Sequence, residues 1–255
     1  MSTTHALAYD LTGSGPLVVL IHGVTENRAS WDPFMPELTS RYHVLRVDLR
    51  GHGESLAPGS FNPIRMAEDL RAIVALVEDP AAPAIVVGHA FGALVATAYG
   101  AAFSAAAIIN IDMALALGTA RDLLYTAAAG LRGDNFDETI RQLAEQNYGE
   151  TPLHEQERLE ALRKVKQDVV LATWGPMLGA SNPLALVQLV EAMIGVPATT
   201  PYVTIFGRHP GPGYEAWLED VIPHAVTEDW GRIGHYPHLV HPQRFINVID
   251  RLALR

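Results

Sequence analysis

The chain has 255 residues, a length typical of one large domain that buries about three-quarters of the surface its unfolded form exposes. With 49% hydrophobic and 18% charged residues, the composition excludes a disordered chain, and the net charge of −10 disfavours nucleic acid and anionic membranes as partners. Cysteine is absent, which excludes disulfides, a thiolate nucleophile and Cys-ligated zinc.

Short apolar runs rich in Val and Ile alternate with amphipathic stretches along the chain. This alternation is typical of a parallel sheet covered by helices on both faces. Six runs are predicted as strands: Leu17–Ile21, 42–47, 84–87, 106–111, Tyr202–Phe206 and 225–230. Residues 5–10, followed by the turn-forming segment TGSGP at 12–16, predict a short antiparallel edge strand.

Three segments predict helices that pack on this sheet. Residues 63–78 carry apolar side chains at helical spacing and begin after Asn62, with a proline in the first turn. Residues 91–103 are rich in alanine and almost entirely apolar, which is typical of a helix buried between a sheet and a surface layer. Residues 243–254 follow a proline and present an apolar face that closes the fold.

The strand pattern stops between Ile111 and Tyr202, and helical patterns replace it. Asp134 and the pair Thr151-Pro152 mark helix starts there. We therefore predict a helical cap of residues 113–200, inserted after the sixth strand, and a core domain formed by residues 1–112 and 201–255. The charged stretch 155–166 is most simply a solvated helix face.

The segment 85–93 (IVVGHAFGA) is a buried strand that runs into a turn between two glycines and then into a helix. It is similar to a nucleophile elbow, the G-x-S-x-G turn that exposes its central side chain. Gly88 and Gly92 are the small residues that the close approach of strand and helix requires. The central residue is Ala90, and a methyl group cannot attack a substrate.

Together with three further motifs, this segment shows that the chain resembles the α/β-hydrolase family over essentially its full length. Residues 20–24 (LIHGV) resemble the His-Gly oxyanion loop, residues 47–55 (VDLRGHGES) the turn after the next strand, and residues 234–238 (GHYPH) the loop of the catalytic histidine. The resemblance implies an α/β fold, with a mostly parallel sheet flanked by helices, and acyl transfer through a Ser-His-Asp triad.

The resemblance also assigns a candidate residue to each role in the triad. Ala90 stands at the nucleophile position, and His235 is the candidate base. The acid most often follows the penultimate strand, where this chain has FGRHP and no carboxylate. Asp112, directly after the strand 106–111, is therefore the candidate acid, although it could instead cap a helix; Glu215 and Glu219 remain alternatives.

The remaining candidate residues concern the oxyanion and the substrate. The backbone N–H groups of Val24 and Phe91 are the expected oxyanion donors. The candidate substrate-binding residues are His22, His89, Met113, Tyr125, Trp174 and His209. Further apolar residues of the predicted cap, Leu115, Leu117, Met177, Leu178, Leu186 and Met193, are expected to be mostly core. The expected substrate is a hydrophobic carboxylic ester or lactone, and hydrolysis of a carbon–carbon bond also stays open.

Two interpretations of Ala90 stay open. In the first, alanine replaces a serine and inactivates a hydrolase whose other functional residues remain. In the second, the chain naturally lacks a nucleophile and is a small-molecule-binding pseudoenzyme or a cofactor-free, histidine-dependent enzyme, for example of the dioxygenase type. The presence of Asp112, His235 and the oxyanion loop together favours the first.

No cofactor and no metal are expected. His235, His238 and His241 recur at intervals of three, but prolines interrupt the helix that would present them to a metal, and no nucleotide-binding glycine loop is present. The expected partner is a small-molecule substrate, with no nucleic acid and no membrane, and a homodimer stays open. The segment MSTTHALAYD lacks the basic and apolar regions of a secretory signal, which predicts a cytoplasmic protein.

Overall fold

A seven-stranded sheet lies at the centre of the computed structural model, which describes residues 7–56, 59–77, 79, 82–164, 166–178, 190–191 and 194–254. Its strands are β1 (Tyr9–Gly13), β2 (Leu17–Ile21), β3 (His43–Val47), β4 (Ile85–His89), β5 (Ala107–Ile111), β6 (Tyr202–Phe206) and β7 (Ala225–Asp229). They lie in the order β1-β3-β2-β4-β5-β6-β7.

The pairing of the strands confirms the predicted α/β class. Every neighbouring pair is parallel except β1 with β3, which is antiparallel. Strands β2, β4, β5 and β6 are buried along their whole length, because helices cover both faces of the sheet. The edge strand β1 lies further along the chain than the predicted segment 5–10, since its pairing with β3 extends to Gly13 opposite His43.

Helices fill the connections. They are α1 (Met35–Leu38), α2 (Pro63–Val77), α3 (Phe91–Ala102), α4 (Gly118–Arg132), α5 (Phe136–Tyr148), α6 (Leu153–Leu162), α7 (Gln167–Thr173), α8 (Gly175–Leu178), α9 (Tyr214–Val221), α10 (Pro237–Val240) and α11 (Pro242–Ala253). A 3₁₀ helix, Arg28–Phe34, precedes α1. The three helices predicted to pack on the sheet correspond to α2, α3 and α11. No described helix is long and apolar enough to cross a membrane.

Alternating side chains of each buried strand supply two hydrophobic cores, one on each face of the sheet. On β2, Val19 packs into the core that contains α2 and α3, whereas Leu20 packs into the core that contains the 3₁₀ helix and α11. This alternation is the period of two expected for a strand covered on both faces. Packing in the two cores holds the parallel strands in place. The loops that follow these strands therefore lie together at the carboxyl ends of the sheet.

The described residues between β5 and β6 form helices α4 to α8 and contain no strand. The sequence predicted that this segment follows the sixth strand. It follows the fifth strand instead, because only four strands precede β5 in the described sheet. Apolar residues of α4 and α5, such as Leu131 and Ile140, join the same core as α2 and α3. The division into a core domain and a cap, with its boundaries, stays a prediction.

Candidate active site

Residue 90 occupies a strained turn between β4 and α3. Its backbone angles are φ 49° and ψ −121°, a conformation that costs a non-glycine residue about 1–3 kcal/mol. The flanking glycines allow the turn, since a Cβ on Gly88 would lie 2.1 Å from the carbonyl oxygen of Gly92, and a Cβ on Gly92 would lie 2.5 Å from that of His22. The predicted requirement for small residues therefore arises because backbone atoms occupy the space that a side chain at either position would need.

Backbone strain marks the same region independently of the identity of residue 90. Among the described non-glycine residues, those with positive φ are Thr25 at 77°, Ala90 at 49° and Asp112 at 53°. All three line one cavity. Because strained residues persist only where the surrounding structure enforces them, and concentrate at functional sites, this cavity is the candidate active site.

The cavity has a volume of about 330 Å³, a size suited to a small organic molecule. Eight predicted site residues line it: Val24, Ala90, Phe91, Asp112, Met113, Trp174, His209 and His235. Its apolar wall comes largely from the inserted helices, with Leu123, Leu124, Ile140, Leu143, Ala144 and Met177 among the lining residues. Leu186 and Met193 lie outside the described residues.

Asp112 and His235 are in direct contact. The Asp112 Oδ2 atom lies 2.6 Å from Nδ1 of His235, and Asp112 Oδ1 accepts hydrogen bonds from the N–H groups of Gly207 at 2.8 Å and Arg208 at 3.2 Å. Burial alone would raise the pKa of the Asp112 carboxyl, but the hydrogen bond from His235 and the charge of Arg208 outweigh it and lower that pKa. The carboxylate is thus ionised and held by the end of β6. The alternative acids, Glu215 and Glu219, are exposed on α9.

The loop that carries His235 is held by the inserted helices. The His235 N–H donates to the carbonyl oxygen of Asn147 at 2.8 Å, near the end of α5. The pKa of His235 is lowered to about 4: burial is the main cause, the charges of His89 and Arg208 act in the same direction, and Asp112 opposes them. At neutral pH the ring is therefore uncharged and can accept a proton.

Arg208 is the functional neighbour that sequence reasoning missed. Its Nε lies 3.2 Å from Asp112 Oδ2, its Nη2 lies 2.9 Å from His235 Nδ1, and its Nη1 donates to Asn147 Oδ1 at 2.7 Å. The available signal was the segment FGRHP after β6, where the position expected for the acid holds His209 and the preceding residue is Arg208. Because arginine stays charged at all ordinary pH values, it opposes a positive charge on His235.

His89 supports His235 from outside the cavity lining. The His89 Nε2 atom hydrogen-bonds to the carbonyl oxygen of His235 at 2.9 Å, and the ring centroids lie 4.7 Å apart. Its Nδ1 lies 3.6 Å from Oε2 of Glu26. Burial would lower the pKa of His89, but the carboxylate of Glu26 outweighs burial, and the pKa of His89 is raised. Burial would raise the pKa of Glu26, but His89 outweighs burial there, and the pKa of Glu26 lies well below its usual range. The two side chains form a buried ion pair next to His235.

Two other residues predicted to bind substrate also lie outside the cavity lining. The Leu49 N–H donates to His22 Nε2 at 2.9 Å, so Nδ1 carries the ring proton and donates to the Gly23 carbonyl oxygen at 2.7 Å. His22 thus fixes the oxyanion loop rather than facing the cavity. Tyr125 is 61% exposed on α4, because the apolar face of that helix turns other residues inward.

The two expected oxyanion donors belong to loops in mutual contact. Phe91 is the first residue of α3, and the first N–H groups of a helix lack intrahelical acceptors. Val24 follows Gly23, where an added Cβ would lie 3.2 Å from the Cβ of Ala90. The side chain of residue 90 therefore points at the loop that carries the second donor.

Comparison with known proteins agrees with this fold. A family model described as "Alpha/beta hydrolase family" matches residues 18–248. A pimeloyl-[acyl-carrier protein] methyl ester esterase of Klebsiella pneumoniae is 28% identical over 258 residues, which cover 93% of each chain. The 2-(acetamidomethylene)succinate hydrolase of Mesorhizobium japonicum is 38% identical over 82 residues, which are 32% of this chain and 29% of that enzyme.

A solved structure shows the same fold. Est816, described as an N-acyl homoserine lactone degrading enzyme, superposes with a TM-score of 0.77 at 20% identity, covering 96% of this chain and 95% of that one. The family match extends over most of the chain, from the second residue of β2 through β7 and into α11. The chain therefore belongs to the α/β hydrolase family.

Proposed function

We propose that the protein has the site of a carboxylic ester or lactone hydrolase and that Ala90 makes this chain an inactivated variant, in which alanine stands in place of a nucleophilic serine. The observation that carries the proposal is the strained backbone of Ala90 in one cavity with the Asp112–His235 contact. A methyl group has no chemical function that would require this strained backbone, whereas a hydroxyl on the same Cβ would be exposed for attack on a substrate.

In the proposed reaction a serine at position 90 attacks the substrate carbonyl carbon while Nε2 of His235 takes the hydroxyl proton. The N–H groups of Val24 and Phe91 stabilise the resulting oxyanion. Collapse of the tetrahedral intermediate breaks the carbon–oxygen bond, and His235 returns the proton to the leaving alcohol. Water then hydrolyses the acyl-enzyme by the same steps. In a lactone the leaving alcohol stays attached to the acyl group.

The substrate class rests on the cavity and on the relatives. Most of the lining residues are apolar, and the charged ones are Glu26, Asp112, Arg163 and Arg208, which suits an organic acyl group with one reactive carbonyl. One relative is named for a methyl ester and one structural neighbour for a lactone. Both carbonyls pass through the same tetrahedral intermediate, so one site serves either.

Restoring the hydroxyl tests the proposal. We expect Ala90→Ser to raise the turnover of p-nitrophenyl acetate by several orders of magnitude, because loss of the nucleophile in analogous triads costs about 10⁶-fold in kcat. The matched control is Ala114→Ser, which adds a hydroxyl to another residue lining the same cavity and should stay at background. A folded Ala90→Ser variant that also stays at background would contradict the proposal.

A second candidate is favoured by one specific contact. Arg208 places a permanent charge 2.9 Å from Nδ1 of His235, which disfavours the imidazolium that a serine triad forms. A nucleophile-free protein, either a small-molecule receptor or a cofactor-free histidine-dependent enzyme, has no need of that imidazolium. Tight ligand retention without turnover in the Ala90→Ser variant would favour this candidate.

A further inference from the structure

A second arginine, distinct from the one beside His235, lies within the cavity. Arg163 directly follows α6 and lines the cavity, yet its side chain is only 7% exposed. Its Nη2 donates to the Tyr148 hydroxyl at 3.1 Å. Its Nε is buried and makes no hydrogen bond within the described part of the chain, although Oε2 of Glu160 approaches it to 3.4 Å. Glu160 is thus its ion-pair partner, while the side of Arg163 that lines the cavity would meet an anionic ligand there.

The other charges of the cavity are already paired. Asp112 is matched by Arg208 at 3.2 Å, and Glu26 by His89 at 3.6 Å. The only carboxylate contacting Arg163 among the described ion pairs is Glu160, which is 48% exposed and does not line the cavity. One positive charge in the cavity therefore lacks a counter-charge inside it.

The contact with Glu160 alone does not explain this arrangement. A surface ion pair at the end of a helix leaves the arginine head in water, where it contributes about 0–1 kcal/mol. Here the partner carboxylate is the exposed member and the guanidinium is the buried one. Burying an arginine against an apolar cavity is costly unless its donors are satisfied, and a bound anion would satisfy donors of Arg163 that face the cavity.

Arg163 lines the same cavity as Ala90 and His235. Burial is the main cause that raises the pKa of Tyr236, the residue after His235, and the charge of Arg163 opposes that rise. Arg163 also shares the Tyr148 hydroxyl with Glu160. Tyr148 in turn packs against Tyr236, with ring centroids 5.9 Å apart. An anion held by Arg163 would therefore sit in the same cavity as a carbonyl beside residue 90.

We propose that Arg163 binds a carboxylate of the substrate, so that the preferred substrate is a small ester or lactone that carries an acidic group remote from the scissile carbonyl. This inference rests on the proposed function, because it assigns the substrate of the same cavity. The ligand is an apolar chain or ring with one anionic end: the apolar lining takes its body, and the planar guanidinium takes the carboxylate.

The test measures binding to the Ala90 protein itself, which requires no turnover. The probes are monomethyl adipate, which has one carboxylate, and dimethyl adipate, which has none, both titrated by isothermal calorimetry. We expect the monoester to bind at least about tenfold more tightly, and Arg163→Met to remove this preference by weakening the monoester about 10- to 100-fold while leaving the diester within about twofold. Arg163→Lys should keep part of the preference.

Arg141→Met is the matched control, because Arg141 is an exposed arginine of α5 that pairs with Glu138 and Glu145 outside the cavity. It should leave both affinities unchanged. Equal affinity for the two esters in the unmodified protein, or no binding of either, would overturn the inference even if Arg163→Met fails to fold. Turnover by Ala90→Ser without any carboxylate preference would overturn this inference alone, whereas preference without turnover would overturn only the proposed hydrolysis.

Discussion

In the Ala90→Ser protein, His235→Ala should lower kcat for an activated ester by about 10⁶-fold, which removes essentially all the gained activity. The reason is that His235 is the group positioned to take the serine proton: its Nδ1 faces Asp112 at 2.6 Å, so Nε2 is the nitrogen left for the hydroxyl. The measurement is steady-state hydrolysis of p-nitrophenyl acetate at neutral pH.

A matched histidine tests whether the loss is local. His154 on α6 has a side chain that is 76% exposed and lies outside the cavity lining. We expect His154→Ala in the same background to keep kcat within about threefold, as surface substitutions usually do. A His235→Ala variant that remains folded and retains more than about a tenth of the activity would remove His235 from the reaction.

The second large effect concerns Asp112. In the Ala90→Ser background, Asp112→Asn should lower kcat by about 10⁴-fold, as loss of the orienting carboxylate does in analogous triads. The asparagine can still accept the hydrogen bonds from Gly207 and Arg208, but its NH₂ would then face Nδ1 of His235 and impose the opposite tautomer. Nε2 would carry the proton and could no longer act as base.

Asp122→Asn is the corresponding control, since the Asp122 side chain is 72% exposed and pairs only with neighbouring Arg121 among the described contacts. It should change kcat by less than about threefold. A loss of less than tenfold in Asp112→Asn, with the circular-dichroism spectrum unchanged, would make the carboxylate a structural group that caps the turn after β5.

The sheet could be predicted because its signal is local. A run such as LVVLI at Leu17–Ile21 is β-branched, apolar and bounded by turn residues, and the structure has a strand with those bounds. The ends of β1 were less predictable, because they depend on pairing with β3, which is distant in the chain. The glycines around residue 90 were also informative, since only a close backbone contact demands them.

The electrostatics of the site could not be predicted, because they arise from residues far apart in sequence. Nothing local shows that Arg208 would reach Nδ1 of His235, or that His89 would form an ion pair with Glu26 instead of facing the substrate. The sequence similarly does not show that Arg163, directly after α6, would line the cavity. Motif spacing predicts the elbow and the histidine loop. Which charged residues lie close enough to change the pKa of His235 depends on the folded structure, which motif spacing does not show.

The central claim is that a hydroxyl on residue 90 would be activated by His235. Covalent labelling tests it most directly: Ala90→Ser protein is incubated with phenylmethanesulfonyl fluoride and its intact mass and peptides are measured. The account predicts one sulfonyl adduct per chain, located on residue 90, absent from the Ala90 protein and lost again with His235→Ala. A folded Ala90→Ser protein that gains no adduct, or that is labelled equally without His235, would contradict it.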